Sequence, residues 1–73
     1  MDEQITIVIE PGEGGWWIAT VPEVPGAVSQ GRTQVQAREM VLDCLHELMA
    51  FRRDEALKEA GSSATIERIR LAG

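Results

Sequence analysis

The 73-residue chain has almost none of the residues with which very small proteins reinforce their cores. Cys44 is its only cysteine, so no disulfide can form within the chain. His46 is its only histidine, and one cysteine with one histidine gives too few of the usual ligands for a zinc site. A domain of this length buries only about 60% of its unfolded surface, so its stability is marginal. We therefore expect a homo-oligomer, in which a partner subunit supplies the missing stability.

Basic residues are also few. The chain has 7 lysines and arginines against 12 acidic residues, which gives a formal net charge of −5. This charge repels nucleic acid and anionic membrane surfaces, and the arginines form no patch strong enough to reverse that effect. We expect no direct DNA binding. A basic protein partner would instead be attracted, and its rate of encounter would rise.

Long apolar runs are absent from the sequence. No stretch of 18 or more apolar residues is present, so we expect no membrane-spanning segment. The first four residues, Met-Asp-Glu-Gln, lack the basic and apolar regions of a signal peptide. The expectation is a single cytoplasmic domain that comprises residues 1–73.

Three strands are predicted before the helix. In residues 4–10, isoleucines occupy alternate positions, which is the two-residue period of a half-buried strand. Residues 11–15 contain a proline and three glycines and predict a turn. Residues 16–21 are rich in aromatic and β-branched side chains and predict a second strand, antiparallel to the first. Residues 27–30 predict a third strand.

The helix that follows has the clearest pattern in the chain. Thr33 is a good N-cap, and Gln36 is placed to reach back and complete a capping box. Five apolar or small side chains then fall on one side of the helix at the 3.6-residue period. These predict an amphipathic helix whose apolar stripe packs on the sheet: Ala37, Val41, Cys44, Leu45 and Leu48.

Beyond Phe51 the apolar pattern fails, because Arg52 falls near the centre of the stripe. Two alternatives remain open: the helix bends near residues 52–54, or it continues past the edge of the sheet to Ala60. A final strand is predicted at residues 65–71, where the alternation is imperfect and indicates a bulge or an edge position. Its apolar residues are Ile66, Ile69 and Leu71.

These elements predict an α+β fold with a four-stranded sheet in the order β-β-β-α-β. The first three strands form an antiparallel meander. The last strand returns by a right-handed crossover to lie beside the first, in the sheet order 3-2-1-4. One long helix covers one face of this sheet.

Several short motifs occur here in a characteristic order. Two glycines at positions 14–15 precede an aromatic residue and Ala19, and residues 21–26 read Val-Pro-Glu-Val-Pro-Gly. Residues 29–33 (Ser-Gln-Gly-Arg-Thr) then lead into a helix that contains Ala37. Each motif alone is weak, but their order and spacing are fairly specific. Together they resemble the HicB-like antitoxin family over about half of the chain.

That resemblance implies a degraded ribonuclease-H-like sheet that binds and inhibits a small basic HicA-type toxin, an enzyme that cleaves messenger RNA. Full antitoxins of this family usually carry a C-terminal DNA-binding segment. Here residues 62–73 are assigned to the last strand, so we expect no operator binding. The alternative function is an orphan homo-oligomeric interaction protein with no toxin partner.

A catalytic or metal site is not expected. Ribonuclease-H chemistry needs carboxylates that converge on metal ions, whereas Glu39 points away from the apolar stripe and cannot meet Glu10 or Glu67 beneath the helix. His46 is predicted to lie on the solvent side of the helix, and Cys44 is predicted to be a small core residue. We therefore expect no enzyme activity, no cofactor and no metal.

The adjacent tryptophans indicate a partner-binding surface. Neighbouring strand residues point to opposite faces, and one helix covers only one face, so one tryptophan must lie on the uncovered face or at the sheet margin. We expect Trp17, Ala19 and Val21 to face the helix, with the reverse assignment as the alternative. An exposed tryptophan could also lie flat over its own sheet edge. The candidate partner-binding residues are Val8, Trp16, Trp17 and Ile18.

Overall fold

The protein forms a three-stranded antiparallel sheet with one long helix on one face. The structure is a computed structural model that describes residues 4–70. The sheet order is β1-β2-β3, and a short 3₁₀ turn at Glu13–Gly15 lies between the first two strands. The elements are β1 (Val8–Pro11), β2 (Trp17–Thr20), β3 (Val28–Gly31) and α1 (Gln34–Glu59).

The predicted fourth strand is wrong, and with it the four-stranded sheet and the order 3-2-1-4. Residues 65–70 contain no strand, and Leu71 lies outside the described residues. Ile66 is 55% exposed and Ile69 is 76% exposed, so neither contributes to a core. The length of α1 supplies a physical reason. A helix of 26 residues is about 39 Å long, whereas four-residue strands are only about 13 Å long. The chain therefore leaves the helix well beyond the sheet.

The first hairpin begins later than the sequence predicts. β1 starts at Val8 rather than at residue 4, and it pairs with β2 in a register that places Val8 opposite Thr20. The intervening turn is closed by the Gly12 backbone N–H, which donates to the Trp16 carbonyl at 2.7 Å. Gly14 has a φ of 65°, a left-handed conformation that favours glycine.

The corner between β2 and β3 is held by backbone hydrogen bonds. The Val21 N–H donates to the Ala27 carbonyl at 2.9 Å, and the Ala27 N–H donates to the Val24 carbonyl at 3.0 Å. Gly26 has a φ of 91°, which the glycine in the Val-Pro-Glu-Val-Pro-Gly motif permits. The corner therefore turns the chain through conformations that its own sequence favours.

The predicted start of α1 is confirmed. The Thr33 hydroxyl oxygen accepts a hydrogen bond from the Gln36 N–H at 3.0 Å. The Gln36 side chain does reach back, but its carbonyl oxygen accepts from the backbone N–H of Arg32 rather than from that of Thr33. Helix and sheet approach closely here, because a Cβ atom on Gly31 would lie 2.5 Å from the Ala37 nitrogen.

The core lies between α1 and the sheet and is made of small side chains. Its largest fully buried members are valines. Ala19 and Val21 are buried and Trp17 packs against them, so the predicted orientation of β2 toward the helix is confirmed. Cys44 and Leu48 in the predicted stripe are half-buried. The buried residues are Ala19, Val21, Ala27, Ala37, Val41 and Leu45.

Of the two alternatives for the helix, the continuous one is correct. α1 extends without interruption to Glu59. Arg52 is accommodated in the stripe because one of its terminal nitrogens, Nη2, donates to the Pro25 carbonyl at 2.7 Å. The predicted irregularity at this position is therefore a contact between the helix and the β2–β3 corner. Within residues 4–70, no helix combines the length and the apolar composition needed to cross a membrane.

Candidate partner-binding face

Among the described residues 4–70, one face of the sheet carries no helix. The register aligns Val8 with Thr20 and Thr20 with Val28, and residues paired across antiparallel strands point to the same side. A second row aligns Glu10, Ile18 and Gln30. Because Ala19 points into the core, both rows point away from α1. With Trp16 at its end, this open face comprises Val8, Glu10, Trp16, Ile18, Thr20, Val28 and Gln30.

The apolar part of the open face is formed by Val8, Ile18 and Val28. Val8 is 39% exposed and Val28 is 53% exposed. Ile18 is half-buried because it packs on the first turn, where a Cβ on Gly12 would lie 2.9 Å from its Cδ1 atom. Ile18 and Val28 also line a shallow depression of about 340 Å³ with Ser29 and Gln30. A protruding apolar side chain of a partner could occupy this depression.

Trp16 is held in place by Arg32. The guanidinium carbon of Arg32 lies 3.8 Å from the centroid of the Trp16 ring, within the range of a cation–π contact. Its Nη1 atom also donates to the Gly14 carbonyl at 3.3 Å. The Trp16 side chain is half-buried, so the stack covers part of the ring and fixes its orientation at the end of the open face.

The structure separates the four predicted partner-binding residues. Val8, Trp16 and Ile18 share the open face, whereas Trp17 packs on the helix side against the core. The role of all four in binding stays a prediction.

Arg32 and Val28 also lie at the open face, although they are not among the four predicted partner-binding residues. Continuing the β2–β3 register by one residue from the Trp17–Gly31 pair places Arg32 opposite Trp16. A correct register would therefore have indicated the Arg32 contact.

The charge around the open face is mainly acidic. Glu10 lies within it, and Glu13 is exposed in the adjoining turn. At the other end of the hairpin, Glu23 accepts a hydrogen bond from the Thr6 backbone N–H at 3.1 Å. The Thr6 hydroxyl, with the backbone N–H groups of Glu23 and Thr6, lowers the pKa of the Glu23 carboxyl from its ordinary value of 4.5. Glu23 therefore stays ionised to lower pH.

The acidic and nucleophilic side chains that we considered as catalytic candidates do not converge on one site. Glu10, Glu39 and Glu67 are exposed on a strand, the helix and the C-terminal segment respectively. In residues 4–70, no group of three or more His, Cys, Asp or Glu residues is placed to hold a metal ion. His46 is exposed on α1, and the half-buried Cys44 thiol lies 3.8 Å from the Gly26 carbonyl oxygen.

No family model, curated protein or solved structure matches this chain. The resemblance to HicB-like antitoxins accordingly rests only on the motifs in residues 14–33 and on Ala37.

Proposed function

We propose that this protein is a non-catalytic interaction module of the HicB-like antitoxin type. It binds a small basic RNA-cleaving protein of the HicA kind through the open face and acts in the cytoplasm. Inhibition is by occlusion, because the acidic module covers the basic surface with which the toxin holds RNA. No chemical step by the module is required.

The single observation that carries this proposal is the uncovered apolar cluster of Val8, Ile18 and Val28 on the open face. Exposed apolar groups that are surrounded by polar and acidic residues are typical of protein interfaces. The net charge of −5 would speed the encounter with a basic partner, and the apolar cluster would slow dissociation.

Trp16 is proposed as the aromatic anchor of this interface. Tryptophan is enriched among the residues that dominate binding energy. The Arg32 stack holds its ring before a partner arrives, so less side-chain entropy is lost on binding. Trp17, which packs against the core, is proposed to support Trp16 and Ile18 from below.

Self-association is the second proposed function, and it stands even if no toxin exists. The observation that favours it is the modest core, whose largest fully buried side chains are Val21 and Val41. Small domains with cores of this kind commonly gain stability from a second subunit. In an orphan homo-oligomer, copies of this chain would bind one another, and no RNA-cleaving partner would take part.

The test is a pull-down of the tagged protein from its native cell lysate, followed by mass spectrometry and an RNA-cleavage assay of the retained protein. We expect one small basic protein in near-stoichiometric amount, and RNA cleavage by that protein that the module inhibits. Val8→Glu and Val28→Glu should abolish both retention and inhibition. Met40→Glu, at a similarly exposed position on α1, should leave both unchanged.

Two results would oppose the antitoxin proposal. Retention that survives both open-face substitutions would mean that the partner binds elsewhere. Recovery of the bait alone would favour the orphan homo-oligomer.

A further inference from the structure

The distal half of α1 has no buried side chain. Leu45 is the last buried residue in the described part of the chain, yet the helix continues to Glu59. The apolar side chains of Met49 and Phe51 are 57% and 62% exposed. Leu48 and Arg52 still contact the core and the β2–β3 corner. Beyond them the helix has little tertiary packing, which leaves a short helix marginal in water, and the exposed Lys58–Glu55 ion pair at 3.7 Å adds little. A further contact would stabilise this segment.

Four further apolar residues of α1 form a line along the helix beside the buried stripe. Seven residues make almost two helical turns, so residues at this spacing lie one above another along the helix. Leu42 follows buried Val41 by one position and therefore points about 100° away from it. Val35 is 53% exposed and Leu42 is half-buried. We call this line the lateral stripe: Val35, Leu42, Met49 and Ala56.

The accessible surface of the chain is larger than its mass predicts. A compact monomer of 8.0 kDa exposes about 4,450 Å² by the usual scaling with mass, whereas this chain exposes 6023 Å². The surplus, about 1,600 Å², exceeds the roughly 800 Å² that each partner buries in a stable interface of standard size. The radius of gyration is 15.6 Å, compared with about 11 Å for a compact domain of this length. Part of this surplus belongs to the exposed residues 60–70 that follow α1, and part belongs to the distal half of α1, whose surface is available for a subunit interface.

We propose that the lateral stripe is the interface between two copies of this chain, whose α1 helices pack antiparallel about a two-fold axis. This inference deepens the self-association that we propose above and rests on it. A two-fold interface uses the same patch on both subunits, so the patch must complement itself. The lateral stripe does so, because its uniform spacing sets Leu42 against Met49 of the second copy and, in the same register, Val35 against Ala56.

The antiparallel arrangement also stabilises the distal helix. Each distal half lies beside the proximal half of the other helix, which its own sheet already holds. The open face points away from α1, so the pairing leaves Val8, Ile18 and Val28 accessible. One dimer would therefore present two partner-binding faces.

The first test is sedimentation equilibrium over a range of protein concentrations. We expect the wild-type chain to be a dimer, and we expect Met49→Asp to raise the dimer dissociation constant about tenfold or more. The matched control is Phe51→Asp. Phe51 is exposed on the same half of the helix, but it points about 160° away from Met49 and should leave the dimer intact. Circular dichroism should show that both variants fold, with a lower helix content in Met49→Asp, because its distal helix loses the dimer contact.

The second test fixes the direction of the helices. In a Cys44→Ser background, Val35→Cys protein mixed with Ala56→Cys protein should form a mixed disulfide on mild oxidation, because these positions face each other. Each variant alone should form none, since an antiparallel pair separates two copies of residue 35 by about 30 Å. Disulfides within each separate sample would indicate parallel helices and overturn the inference.

The outcomes separate this inference from the proposals it rests on. A wild-type chain that stays monomeric at all concentrations refutes both the interface and the self-association, while partner binding by the open face is decided by the pull-down. A dimer that Met49→Asp leaves intact, and that Phe51→Asp or Val28→Glu dissociates, refutes only the lateral stripe.

Discussion

Arg32 stacks on Trp16, with 3.8 Å between its guanidinium carbon and the centroid of the indole ring. The two residues belong to different strand ends, and the β2–β3 register brings them together. The contact fixes an aromatic side chain at the end of the open face. Because the ring then has fewer conformations in the free protein, less side-chain entropy is lost when a partner binds.

The Trp16–Arg32 contact should be measurable in the free protein. In a double-mutant cycle of Trp16→Leu and Arg32→Ala, we expect a coupling free energy of about 0.5–1 kcal/mol, the range for an exposed cation–π pair. Urea denaturation of the four proteins gives this value. Arg38→Ala, at an exposed helix arginine, should show no coupling to Trp16→Leu. Additive effects of Trp16→Leu and Arg32→Ala would mean that the stack contributes nothing in solution.

Gly31→Ala should destabilise the fold where the sheet meets the helix. The new Cβ would lie 2.5 Å from the Ala37 nitrogen and 2.9 Å from the Gln36 carbonyl carbon, both backbone atoms. Overpacking of this kind costs about 1–3 kcal/mol of unfolding free energy, measured by urea denaturation. Gly61→Ala is the control, since its Cβ would meet no atom within 4 Å. Equal stabilities of the two variants would contradict the close approach.

The Glu23 carboxyl should titrate below its ordinary pKa because of Thr6. A pKa that is lowered on folding stabilises the protein above the unfolded value of 4.5, and this contribution is lost as pH falls through the folded value. Thr6→Val removes the hydroxyl and should return the pKa of Glu23 toward its ordinary value, whereas Thr6→Ser should keep it lowered. NMR titration of the Glu23 side chain tests this, and identical titrations in the two variants would exclude the hydroxyl as the cause.

Substitution in residues 60–70, the segment that follows α1, should have almost no effect on the stability of the fold. Ile69 is 76% exposed and lies outside regular structure, so Ile69→Asp should change the unfolding free energy by less than about 0.5 kcal/mol. Thermal or urea denaturation at low protein concentration provides the measurement. Leu45→Ala, which truncates a side chain that is only 6% exposed, should cost about 2–5 kcal/mol in the same assay. A loss above about 1 kcal/mol for Ile69→Asp would indicate that the segment packs on the domain.

Local sequence patterns predict most of the secondary-structure elements that precede the end of α1. The Thr33 cap, the turn glycines and the aromatic and β-branched composition of β2 are local features, and such short-range preferences can be read directly from a sequence. The expectation that Ala19 and Val21 face the helix was correct. It rested on their small size, which allows close approach of the helix, and the reverse assignment was left open.

The predicted fourth strand failed because its formation depends on distance rather than on local preference. Residues 65–71 contain β-branched and apolar residues, but a strand needs a sheet edge within reach. The sequence left open whether the helix bends near residues 52–54 or continues past the edge of the sheet to Ala60. The contact of Arg52 with the Pro25 carbonyl favours the continuous helix, which carries the chain past the sheet.

The open face was only partly accessible from the sequence. The adjacent tryptophans indicated that one of them lies away from the helix, but the sequence left open which one and gave Val8, Trp16, Trp17 and Ile18 as candidates. Locating Val28 and Arg32 on the open face requires the strand register. Recognising that the lateral stripe is exposed requires the position of α1 on the sheet. Sequence alone thus determined the helix cap and the turns, since each depends on near neighbours. Tertiary structure decided the number of strands and the exposed surfaces, because these depend on which distant segments meet.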